Sequence, residues 1–194
     1  MEESVSQESV RDLLISDPSK GAAELVRQFG DRLYSCAFRL CGVHADAEDL
    51  VYRTFERVIA KIALFDGRSE FFTWMYSIMV NFRLMDLRLK GANSIVFPQE
   101  MPESVSGGSD PGEMLAVKAD RATIRRAVWE LPDNLRIIVI SYYFNEMGVA
   151  DIAQMVGAPI GTVKYWLSIA RRKLAEKLHQ PNDVSQHLKQ QKHG

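Results

Sequence analysis

Apolar positions recur at three- and four-residue steps along most of this chain and nowhere in sustained alternation, so the pattern predicts helices and no strands. The first long run is Leu25, Val26, Phe29, Leu33, Ala37, Leu40 and Cys41. It follows Asp17-Pro18, an N-cap and first-turn pair, and stops at Gly42. A second helix starts near Asp46, with Leu50, Val51, Phe55, Val58, Ile59 and Ile62 inward. Ser69 caps a third, which carries Phe72, Met75, Ile78, Met79, Phe82 and Met85. A short helix is expected over residues 10–15. Further on, helices are expected over 114–130, 133–144, 149–155 and 160–178, the first of these stopped by Leu131-Pro132 and the last ending before Pro181.

Between the two helical stretches the pattern breaks. Residues 91–113, GANSIVFPQEMPESVSGGSDPGE, contain no lysine or arginine, and Pro98, Pro102, Pro111, Gly107 and Gly108 interrupt any period. This reads as a flexible acidic linker, with Ile95, Val96, Phe97 and Met101 giving it more apolar character than a tether needs. The chain therefore divides into an N-terminal extension (1–20), a helical domain (21–90), the linker (91–113), a second helical domain (114–178) and a polar tail (179–194). The fold class is all-α, two small domains.

The stretch DIAQMVGAPIGTVKYW, Asp151 to Trp166, has the composition of a helix-turn-helix. Ala153 allows two helices to cross closely, and Gly157 tolerates the positive φ of the turn. Val163 and Leu167 face inward, which leaves Thr162, Lys164, Tyr165 and Ser168 pointing outward where such a helix meets base edges. Arg171, Arg172, Lys173 and Lys177 follow as phosphate ligands. A solvated basic hairpin would share part of this pattern; the cationic C-terminal half favours a DNA reader.

Charge changes that picture. Lys and Arg total 24 against 25 Asp and Glu, a formal net charge of -1, so long-range attraction to a polyanion is small and unaided DNA binding should be weak. A local reading helix on a near-neutral chain suits delivery to DNA by a larger partner. No apolar run approaches the ~20 residues needed to cross a bilayer, and the acidic start MEESVSQESVRDLL is unlike a secretory signal, so a cytoplasmic location is expected. Cys36 and Cys41 lie roughly 140° apart around one helix and read as buried, reduced thiols. With His44 they match no usual zinc spacing, so neither metal nor cofactor is expected.

Taken together these runs resemble the extracytoplasmic-function (ECF) group of bacterial sigma factors, over residues 23–178. HADAEDLVYRTFERV and FDGRSEFFTWMYSIMVNFRLMDLRLK are similar to sigma domain 2, and WELPDNLRIIVISYYFNEMGVADIAQMVGAPIGTVKYWLSIARRKL to domain 4. The resemblance implies polymerase contacts at Asp46, Glu48, Asp49, Leu50, Arg53 and Phe55, with Tyr52-Arg53 standing where the family commonly has Gln-Glu. It implies a pocket for a flipped minus-10 base from Phe65, Asp66, Gly67, Arg68 and Ser69 with Asn81, and Trp74 nearby, while Arg83, Arg88 and Lys90 hold the strand's phosphates. Minus-35 reading falls to Thr162, Lys164, Tyr165, Ser168, Arg171, Arg172 and Lys173. Tyr165 and Trp166 replace a usual serine and arginine, which removes the customary guanine reader; Trp166 is free to pack against the preceding helix. At helical spacing Phe72 reads as core.

The expected function is a non-enzymatic sigma factor that directs core RNA polymerase to promoters, reading minus-35 and capturing melted minus-10 DNA. Partners are core polymerase, promoter DNA and an anti-sigma factor, without membrane insertion. The alternative is a stand-alone helix-turn-helix regulator with an N-terminal dimerisation or sensing domain, which leaves the DAEDLV and FDGRSEFFTW runs unexplained. An enzyme lacks support, since no Gly-rich phosphate loop and no nucleophile with a base occur.

Overall fold

A computed structural model describes residues 7–89 and 121–179. Lys90, the linker, the start of the helix expected from 114, and the polar tail from residue 180 lie outside the described residues. Those residues form helices and no strand, in the order α1 (Gln7–Ser16), α2 (Pro18–Cys41), α3 (His44–Lys61), α4 (Phe71–Leu89), α5 (Arg121–Trp129), α6 (Asp133–Val139), α7 (Val149–Val156) and α8 (Ile160–His179). A single 3-10 turn follows α3, and a π-helical turn, Ile140–Phe144, continues α6.

Local chemistry sets the ends of α2. Asp17 Oδ1 accepts the Lys20 N–H at 3.2 Å and Pro18 occupies the first turn, as the sequence requires. At the other end Gly42 takes φ 70° and its N–H donates to the Phe38 carbonyl at 2.8 Å. A side chain there would also meet the Trp129 indole, 2.2 Å from the place of its Cβ, so the absence of a side chain at Gly42 lets the second helical unit pack closely here. The N-terminal helix is longer than the 10–15 expected, because α1 lies directly on α2 at Gly21, where a Cβ would stand 2.5 Å from the Leu14 backbone.

The N-terminal core is aromatic. Phe71, Phe72, Met75, Tyr76 and Met79 of α4 are buried with Leu25, Leu33 and Leu50, and Phe29 meets Phe71 and Phe72 at centroid distances of 5.6 and 6.5 Å. Two expected core positions turn outward. Val26 lies about 100° around α2 from Leu25 and Met85 about 100° around α4 from Leu84, which places both outside the buried stripes, at 53% and 44% exposure. The cap of α4 also moves by one residue, since the first helical acceptor is the Glu70 carbonyl, bonded to Trp74 N–H at 3.1 Å, and not Ser69.

The C-terminal unit wraps α5, α6 and α7 around α8. Leu131-Pro132 ends α5 as expected, and α6 starts at Asp133. Residues 135–140, apolar except for Arg136, are all buried, and the winding switches from α to π at Ile140. Gly157 takes φ 68° in the turn between α7 and α8, and Ala153 is buried at their crossing. Val163, Trp166, Leu167, Ala170 and Leu174 form the inward face of α8.

Candidate nucleic-acid interface

The outward face of α8 follows from its periodicity. Lys164, Ser168 and Arg172 recur at four-residue steps, so they share one face, and all three are exposed. Tyr165, Arg171 and Lys173 flank that face and are half-buried. Arg171 donates to the Tyr143 hydroxyl at 3.0 Å, which fixes its guanidinium at the edge of the helix. Lys177 pairs with Glu130 at 2.6 Å and so ties α8 to the end of α5. Thr162 departs from expectation: it is 3% exposed and presents nothing outward. The reason is Trp166, one turn further on and itself buried, which widens the inward stripe until it includes Thr162.

A second face runs along α4. Trp74, Asn81 and Arg88 are spaced by seven residues, about 700° of helix, so each is offset by roughly 20° from the last, about 40° in all over about 21 Å. Asn81 and Arg88 are exposed. Trp74 is half-buried at the end of an aromatic wall, 5.3 Å from the Phe65 ring and 5.9 Å from Phe71. The loop before α4 carries Asp66, Gly67, Arg68 and Ser69, all exposed; Arg68 pairs with Asp66 at 3.1 Å, and Gly67 takes φ 74°. Asn81 lies two turns beyond Trp74 along α4, and the loop stands at the N-terminal end of that helix. An aromatic wall followed by an amide and a cation along a line suits an unpaired strand, whose bases stack while its phosphates seek charge.

Arg83 does not join this stripe. It is 8% exposed, and its Nη2 lies 3.5 Å from Asp133 Oδ1, because two residues on from Asn81 the helix has turned by about 200° toward the C-terminal unit. Lys90 lies outside the described residues.

On α3 the expected contacts divide by burial. Asp46, Glu48 and Asp49 are exposed, whereas Leu50 and Phe55 are core, at 1% and 9% exposure, and offer no surface to a partner. Their helical phase explains the correction, since they share the inward stripe with Ala47, Thr54 and Val58. Arg53 is half-buried over the Phe82 ring and spans two helices, with bonds to Asp86 at 3.0 Å through both nitrogens and to Asp49 at 3.1 Å. The Asp86 carboxylate raises its pKa further and keeps it charged. Asp46, Asp49, Arg53 and Asp86 thereby line a groove of about 260 Å³ between α3 and α4. Sequence reasoning missed Asp86, since no local spacing signals a partner 33 residues away.

Both thiols are buried, as expected of small hydrophobes. Burial pushes the Cys36 thiol pKa up despite nearby Arg39 and a hydrogen bond to Asn145, so Cys36 stays protonated near neutral pH. His44 is engaged elsewhere: its Nδ1 meets the Tyr34 hydroxyl at 2.5 Å and its ring stacks on Phe38. No helix among the described residues is long and apolar enough to cross a membrane.

The described residues thus form two helical units, one with an exposed basic face on α8 and the other with an aromatic, amide and cationic stripe on α4. Family models match both units, Sigma-70 region 2 over residues 25–92 and Sigma-70 region 4 over 121–174. The ECF RNA polymerase sigma factor SigW of Bacillus subtilis is 25% identical over 167 residues, covering 80% of this chain and 88% of that protein. The solved complex of sigma factor RpoE with anti-sigma factor NepR from Bartonella quintana aligns with TM-score 0.60 and 25% identity, over 82% of this chain and 98% of that one. CnrH in complex with the cytosolic domain of CnrY shares the fold, with TM-score 0.57 and 18% identity over 87% and 94% of the two chains. The chain belongs to the ECF group of the sigma-70 family, the promoter-directing subunits of RNA polymerase.

Proposed function

We propose that this chain, acting in the cytoplasm and without catalysis of its own, brings core RNA polymerase to promoters through three of its surfaces. The observation that carries the assignment is the alignment of Trp74, Asn81 and Arg88 on one exposed face of α4, beside an aromatic-walled loop. In this reading, residues 21–90 form the unit that binds core and captures the melted minus-10 strand. Residues 114–178 form the minus-35 unit, and 91–113 tether the two.

Asp46, Glu48, Asp49 and Arg53 dock on core. Their exposed carboxylates and the paired guanidinium offer a patterned polar face, with Leu50 and Phe55 shaping it from beneath. Phe65 and Trp74 wall the flipped base, and Asn81 supplies hydrogen bonds to its edge. Lys164, Tyr165 and Ser168 read the minus-35 groove, flanked by Arg171, Arg172 and Lys173 on phosphates. Near-neutral net charge fits this division of labour, because polymerase supplies most of the affinity and the chain supplies the choice of site. NepR is an anti-sigma factor bound to a sigma factor of this fold, and an anti-sigma partner is proposed for this chain by the same likeness. The stand-alone regulator is set aside, since it gives no role to the α3 groove or the α4 stripe.

The α4 assignment is tested by promoter melting. Core plus this chain is expected to raise 2-aminopurine fluorescence at the minus-10 position of a promoter selected from a library. Asn81→Ala should lower the melting equilibrium by roughly tenfold, the scale of one lost hydrogen bond to a desolvated base. Undiminished melting by Asn81→Ala would contradict the assignment of that side chain.

A further inference from the structure

One surface of the molecule has no part in the reading proposed above. On it Phe38 of α2, Trp129 of α5 and Phe144 of the π turn are 36%, 43% and 40% exposed, and together they wall a groove of about 410 Å³. The guanidiniums of Arg39, Arg125 and Arg126 rim it. Arg39 lies over the Phe144 ring at 5.2 Å, and Arg126 pairs with Glu130 at 3.1 Å. Neither Arg39 nor Arg125 pairs with a carboxylate among the described residues. Aromatic rings set among arginines have the composition of interface centres, and rings left clustered at a surface mark a docking site.

The chain itself carries a segment of matching chemistry. Residues 91–113 hold no lysine or arginine, and within them Ile95, Val96, Phe97 and Met101 stand beside Glu100 and Glu103. Both ends of this linker lie near the groove. At one end α4 finishes at Leu89, which shares the α3–α4 groove with Cys41, the residue before Gly42 of the aromatic groove. Extended at about 3.3–3.6 Å per residue, the chain from Leu89 to Ile95 reaches about 20 Å, enough to pass from one groove to the next. At the other end α5 starts at Arg121, one turn before Arg125.

We propose that Ile95 to Glu103 dock in this groove, with Phe97 and Met101 among the three rings and Glu100 and Glu103 against the Arg39 and Arg125 guanidiniums. The linker is then a bound segment as well as a tether. Pro98 and Pro102 restrict the free segment, so less entropy is lost when it is seated. Attachment at both ends supplies an effective concentration of roughly millimolar. A contact too weak to hold a separate peptide therefore holds this one.

The full-length chain supplies the test. With benzoylphenylalanine in place of Phe97, irradiation of dilute protein should cross-link the linker, within one chain, to the peptides holding Phe38–Gly42 or Arg125–Trp129, as read by mass spectrometry of the digest. Cross-links that join two chains would make a second copy the occupant and overturn the proposal, as would cross-links confined to other helices. Arg125 is exposed, so its reversal leaves the fold intact. Arg125→Glu should lower the groove cross-link at least threefold, and adding Glu100→Lys and Glu103→Lys should restore it by pairing the reversed charges. A yield indifferent to both reversals would overturn the charge match that selects this occupant. Independently, Phe97→Ser with Met101→Ser should raise acrylamide quenching of Trp129 about twofold, taken as the difference from the same chain carrying Trp129→Phe. Unchanged quenching would show that those side chains leave the indole uncovered and would overturn the proposal.

Discussion

Trp166→Ala is expected to destabilise the C-terminal helical unit by about 3–5 kcal/mol, the range for deleting a large buried aromatic. Trp166 is 3% exposed on the inward face of α8, among Val163, Leu167 and Ala170. A small helical unit has little stability in reserve against such a loss. At roughly 4–8 °C per kcal/mol for a domain of this size, the transition should fall by at least 12 °C, or disappear. Thermal circular dichroism of the full chain reads this directly, with the N-terminal unit as an internal reference. A fall of less than about 5 °C would show that the indole is not integral to the fold. The position matters because the family resemblance implies an arginine here, the usual bidentate guanine reader, and the proposed minus-35 reading therefore rests on neighbouring side chains.

Those neighbours carry the second large effect. Lys164→Glu together with Arg172→Glu should weaken promoter binding by the polymerase complex at least a hundredfold while leaving the fold intact. Both side chains are exposed on the same face, so neither substitution opens a cavity or strands a buried partner. Each reversal removes one counterion-releasing contact and adds repulsion. The slope of log affinity against log salt should therefore flatten by about 2. Fluorescence anisotropy on a promoter fragment at several salt concentrations measures both quantities. An unchanged slope would place the DNA on some other face.

Much of the architecture was legible in the sequence because its signals are local. Asp17-Pro18, Gly42, Leu131-Pro132 and Gly157 each act within one turn of backbone, and each marks a helix boundary in the structure. Helical phase also separated most inward from outward positions. It misjudged Thr162, because Trp166 widened the inward stripe of α8, and Val26 and Met85, which fall just outside their stripes. It placed Leu50 and Phe55 inward, where they are; their naming as contacts came from the family resemblance, which says that a segment serves an interface and not which of its side chains are buried.

Long-range pairings left no sequence trace at all. Arg53 with Asp86, Tyr76 with Ser141 and Cys36 with Asn145 are 33, 65 and 109 residues apart, and only the packing of helices brings them together. The placement of Arg83 follows from the same packing. As part of α4 it reads as a phosphate ligand, and only α6 reveals the carboxylate that faces it.

Run-off transcription with bacterial core polymerase on a promoter library, with and without this chain, tests the central claim most directly. The account predicts transcripts that require the chain and share two short upstream elements, one lost on reversing Lys164 and Arg172 and the other on Asn81→Ala. Core that transcribes no differently with the chain present, while the free protein binds a palindromic site tightly, would contradict it.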